Sequence, residues 1–158
     1  WGAAGTWGVR TRARSATNPA IESGWSATMP VSIRLTTGPD RVGSWSGAKQ
    51  ACKTKKGVTN CTITGKLNVV NNGTVNSGST QAWVILSTDN APSDDDALIK
   101  TFSVAALKPR AKKALKLSFK VPTGYTAAGL YLLGVVDPSG NVAETNESNN
   151  LANGGVLR

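Results

Sequence analysis

Asp89, Asn90, Asp94, Asp95 and Asp96 crowd oxygen donors into the single stretch DNAPSDDD. Calcium takes about six to eight oxygens from carboxylates, carbonyls and water. A loop offering Asp89, Asp94, Asp95 and Asp96 is therefore the candidate calcium site of the chain. The Ser, Pro and Asn around these acids equally describe a solvated turn, and the spacing is not that of an EF-hand. Asp137, Glu144 and Glu147 make a second oxygen-rich group further on.

The rest of the catalytic repertoire is missing. The chain has no histidine, so neither a Ser-His-Asp nor a Cys-His arrangement can form. Paired carboxylates do hydrolytic work when one acid sits in an apolar pocket and the other stays ionised, and Asp94-Asp95-Asp96 lies among turn residues that water reaches. The expectation is a protein that is not an enzyme. Cys52 and Cys61, the two cysteines, flank a turn-like stretch centred on Gly57. On facing strands they come within disulfide distance, whereas zinc wants about four ligands and finds no histidine here. A disulfide in an oxidising compartment is expected, worth about 2–3 kcal/mol for so short a loop in the chain-entropy picture.

The 158 residues carry a net charge of +9, distributed unevenly. Acids cluster at Asp89–Asp96 and Asp137–Glu147, and cations at Arg10–Arg14, Lys49–Lys56 and Lys108–Lys120. Opposite patches on neighbouring copies would attract one another. No basic helix and no aromatic strand platform accompanies the lysines, which speaks against nucleic acid as a partner. No apolar stretch approaches the length of a membrane span. The start at Trp1 gives the expectation that a secretion leader has been removed.

Short strands must position these groups. The pattern predicts strands over Val42–Ser46 running to Cys52, Thr59–Val70, Gln81–Thr88, Leu98–Val104, Ala114–Val121, Leu130–Val136 and Val142–Thr145. Turn residues separate them, and no helix of useful length is expected. Leu130–Val136, the turn Asp137–Asn141 and a polar return to Asn150 read as a final hairpin. By strand parity Trp45 and Trp83 read as core residues. The expectation is an all-β, Ig-like two-sheet β-sandwich of about seven strands, occupying residues 38–158.

Residues 1–37 read differently. They hold Trp1, Trp7 and Trp25, the basic alternation Arg10, Arg12, Arg14, a stretch Val9–Ala16 suited to extended structure, and a short strand Val31–Thr37. Too poor in aliphatic residues for a core of its own, this segment is expected to be an extended N-terminal arm that grips something else. Its tryptophans suit either a protein groove or the faces of sugar rings.

From about residue 39 to 151 the chain resembles the CARDB family, the cell-adhesion-related domain found in bacteria. The residues that carry the likeness are PDRVGSWSG, CTITGKLNVVNNGT, WVILSTDNAPSDDDALI and VPTGYTAAGLYLLGVVDPSGNVAETNESNN, above all the closing E-x-N-E-x-N-N. The resemblance implies an extracellular Ig-like module of bacterial and archaeal surface proteins, and no enzymatic activity. Added to the arm, it gives the expectation of a secreted cell-surface structural or adhesion protein. The arm residues Gly8–Ala16 would add as a strand to the sheet edge of the next copy, building a homo-oligomer or filament. The competing expectations are a module binding surface polysaccharide and a passive spacer of a larger adhesin.

Overall fold

Cys61, Ile63, Leu67 and Val69 share one parity, which places them on one face of a strand. The computed structural model describes residues 5–18, 20–33 and 37–158, and in it all four are buried. The chain divides into two compact units, Trp1–Thr36 and Thr37–Arg158. In the first, β1 (Gly5–Val9) pairs antiparallel with β2 (Met29–Ile33). The second holds β3 (Arg41–Lys55), β4 (Val58–Asn71), β5 (Thr80–Ser87), β6 (Ala97–Val104), β7 (Lys112–Lys120), β8 (Tyr131–Val136) and β9 (Leu151–Val156). These seven strands form a three-stranded sheet of order β3-β4-β7 and a four-stranded sheet of order β6-β5-β8-β9, both antiparallel.

The core lies between these sheets. Ile63, Leu67 and Val69 of β4 and Leu115 and Leu117 of β7 face Ala82, Val84 and Leu86 of β5 and Leu132 and Val136 of β8. Each large aliphatic so buried contributes about 1.5–3 kcal/mol. Trp45 of β3 packs into this core from the side of β8 and β9. A Cβ added to Gly154 would stand 3.1 Å from its ring, and one added to Gly134 3.2 Å from its Nε1. Glycine at these positions leaves the slot the indole fills.

Three strand expectations need correction. The expected strand Val142–Thr145 is a loop, and the last strand is β9. Residues 137–150 are held by side chains instead of a ladder, and β9, LANGGV, has too little apolar periodicity to announce itself. Trp83 is not in the inter-sheet core. Ala82, Val84 and Leu86 face inward, so Trp83 points to the outer face, half-buried beneath the β5–β6 loop. The expected extended stretch Val9–Ala16 is folded back. Gly8 and Val9 pair with Pro30 and Met29, and Arg14 makes a bridge with Glu22. The backbone N–H groups of Ser23 and Ser26 donate to Ala13 and Thr11 along the same hairpin, so one edge of the stretch is paired within its own unit. The far end of the expected strand Val31–Thr37 includes 34–36, outside the described residues.

Arg41 begins β3 at the end of the sandwich where Thr80, Asp137 and Glu144 lie; Leu157 follows β9 at the opposite end, beside Leu130.

Candidate functional site

Three of the four aspartates of the β5–β6 loop bond groups of the loop itself. Asp89 Oδ1 accepts the Ala91 N–H at 2.8 Å, Asp96 Oδ2 accepts the Ser93 N–H at 2.8 Å, and Asp95 Oδ1 accepts the Ser93 hydroxyl at 2.6 Å. The Ser93 hydroxyl bond holds the Asp95 carboxyl below its ordinary value. Such bonds are the local closure that Asp and Ser favour in turns. Among the described residues no group of three or more His, Cys, Asp or Glu side chains comes together to hold a metal ion. Asp89, Asp94, Asp95 and Asp96 are not gathered into such a group. The loop instead folds over Trp83, Ile85, Leu98 and Val135 on the outer face of the four-stranded sheet, leaving a cavity of about 380 Å³ rimmed by Asp94 and Asp96.

Cys52 and Cys61 are bonded, with Cα atoms 4.0 Å apart. They are direct cross-strand partners, and β7 begins its pairing with β4 at the next residue, Thr62. The disulfide therefore ties the base of a hairpin, residues 53–60, whose far strand has no third-strand support.

In the first unit, Arg12 and Arg14 both pair with Glu22, and the Arg14 Nε–Oε1 distance is 2.8 Å. The Arg12 guanidinium also lies over the Trp25 ring, 4.7 Å from its centroid. Arg10 Nε donates to Thr28 Oγ1 at 2.6 Å. Trp7 lies in β1 opposite Val31, and Trp1 lies outside the described residues. Ile21, Trp25 and Met29 are 60 %, 58 % and 67 % exposed.

The closing acidic and amide residues gather at the start of β3. Glu144 is 1 % exposed and Arg41 fully buried. Glu144 Oε2 accepts the Arg41 N–H at 2.9 Å. Asn150, with its amide nitrogen turned toward them, donates to the same oxygen at 3.0 Å and to the Arg41 carbonyl at 2.9 Å. Glu147 accepts the Glu144 N–H at 2.7 Å, and Asn149 donates to Asp40 Oδ1 at 2.8 Å. Asp137 receives the Thr80 hydroxyl, the Asn141 N–H at 3.1 Å and the Val142 N–H at 2.8 Å. Burial pushes the Glu144 carboxyl up to about 7; Glu147 and Asp137 push the same way, against the Arg41 N–H and charge. Burial lowers Arg41 from its ordinary value, and Glu144 and Asp137 oppose this. The Arg41 guanidinium donates to the carbonyls of Gly78 and, at 3.2 Å, Ala105. This network closes the end of the sandwich, with Arg41, Asp137 and Glu144 buried and Glu147 exposed at its edge. Sequence reasoning missed Arg41, because nothing marks a strand-leading arginine as buried except the distant glutamate that meets its backbone.

A family model described as CARDB matches residues 48–154. A CARDB domain of Pyrococcus furiosus, solved by crystallography in complex with di-metal ions, superposes with a TM-score of 0.53 at 22 % identity, covering 75 % of this chain and 92 % of that one. A solution NMR structure of a CARDB domain from Pyrococcus furiosus gives 0.54 at 24 % identity, covering 75 % and 93 %. These likenesses establish the fold. No match is found among curated proteins.

Proposed function

The chain belongs to the CARDB family, and from that premise we propose that it is a non-enzymatic adhesion module of the cell exterior, working through the surface of its sandwich. The observation that carries this reading is the Cys52–Cys61 disulfide in an exposed hairpin, since such bonds persist in oxidising compartments. The carboxyl raised to about 7 is Glu144, a value suited to general acid work. It is sealed behind the backbone of β3, where no substrate reaches it. The metal ions of the Pyrococcus domain are not carried over, because Asp89, Asp95 and Asp96 of the β5–β6 loop each hold a group of their own loop. Protease or antibody labelling of intact source cells tests the reading. Labelling without lysis is expected, and a chain protected until lysis overturns it.

Self-assembly into a filament is the second reading, favoured by the exposure of Ile21, Trp25 and Met29 on the first unit. The segment Gly8–Ala16 is engaged in its own hairpin, so assembly would use the hairpin's apolar surface. Sedimentation of the full chain beside a Trp25→Ser/Met29→Ser variant tests it. Association lost in the variant supports it, and a monomeric full chain at high concentration ends it.

A further inference from the structure

The outer face of the β3-β4-β7 sheet carries Lys49, Lys66, Lys112, Lys116 and Lys120, every one exposed. None of the three strands contains an aspartate or glutamate. Among the described residues the ion pairs are those of Arg12 and Arg14 with Glu22, so no lysine of this face is neutralised. Lys66 and Lys116 are direct cross-strand partners, an arrangement in which like charges destabilise a sheet. The strain falls at a groove of about 430 Å³, opened where β3 bulges at Gly47 and lined by Ser46, Thr64, Lys66 and Lys116.

We propose that this face binds a linear acidic polysaccharide, one bearing carboxylate or sulfate groups. The inference rests on the reading of the chain as a surface module and names its ligand class. The lysines supply the charge complement. Ser44, Ser46, Thr62, Thr64, Asn68 and Ser118, interleaved with them on the same face, supply the neutral donors and acceptors that sugar hydroxyls require. A nucleic acid fits less well. The aromatic residues of the sheet, Trp45 and Phe119, pack toward the core, leaving no ring for a base to stack on. The outward cations are all lysine, so the face lacks the planar fork that grips phosphate in two-point fashion.

The test is affinity electrophoresis of the purified full chain through gels containing polygalacturonate, dextran sulfate, neutral dextran or single-stranded DNA. Retardation by the acidic glycans and not by neutral dextran is expected, weakening as salt rises from about 50 to about 300 mM. The Lys66→Gln/Lys116→Gln variant should lose about tenfold in affinity, while a Lys100→Gln/Arg158→Gln variant of equal net charge, with both changes outside the three-stranded sheet, should lose less than about twofold. The thermal melt of each variant checks that it folds. No retardation by acidic glycans, equal losses in the two variants, or tighter binding to DNA would each overturn the proposal. An externally labelled chain that binds no acidic glycan fails this inference alone. A cytosolic chain that does bind fails the surface reading alone.

Discussion

The backbone N–H of Arg41 donates to Oε2 of Glu144 at 2.9 Å, joining residues 103 positions apart. Because Glu144 titrates at about 7 when folded and near 4.5 otherwise, the native state holds an extra proton between those values. Its contribution to stability is therefore full below about pH 4.5 and lost as the pH rises through about 7. Glu144→Gln keeps an acceptor for the Arg41 N–H and should remove a fall of about 1–3 kcal/mol across that window. Urea unfolding from pH 4.5 to 8 measures it, and an unchanged slope in the variant counts against the buried carboxyl as its source. Glu144→Ala, which orphans a buried N–H, should cost about 1–3 kcal/mol even at low pH.

Trp45 needs the absence of a side chain at position 134. A Cβ there would meet Leu67 Cδ1 at 2.9 Å and Trp45 Nε1 at 3.2 Å. Gly134→Ala is expected to destabilise by about 1–3 kcal/mol through overpacking and to alter tryptophan fluorescence. A melt within a degree of the parent would show that the slot has slack.

Replacing both Cys52 and Cys61 by serine should lower stability by about 2–3 kcal/mol. The loosening should concentrate in residues 53–60, beyond the last β7 pairing, and hydrogen exchange reads it directly. Uniform protection loss across β4 would place the effect elsewhere.

The β5–β6 loop closes through its own N–H and O–H groups. Millimolar calcium and excess chelator should therefore give the same melting temperature. A chelator-dependent fall, reversed by Asp96→Asn, would reveal a ligand set assembled only with the ion present.

Periodicity made most of the sandwich legible. β4 and β7 alternate strictly because one face of each meets water and the other the core, and their limits fall within a residue or two of expectation. Trp83 was misplaced for the same reason it is informative. The outer face of β5 is covered by a loop, so both of its faces are apolar and parity cannot rank them. β9 was illegible because Gly154 accommodates Trp45, a fact that belongs to tertiary packing. The closing glutamates and asparagines were visible as a motif. That their target is the first turn of backbone at Arg41 follows only from the fold bringing residue 41 beside residue 144. The lysines of the outer sheet face were visible as runs, but their grouping on one acid-free surface depends on the register of three strands, which composition does not contain.

Arg41 and Leu157 stand at opposite ends of the sandwich, at the head of its first strand and just past its last. Tension applied between those points would run along the strands and load their ladders in shear, many hydrogen bonds at once. Extension of the second unit by optical tweezers would show that direction of strength as a high, brittle rupture force in place of gradual unzipping.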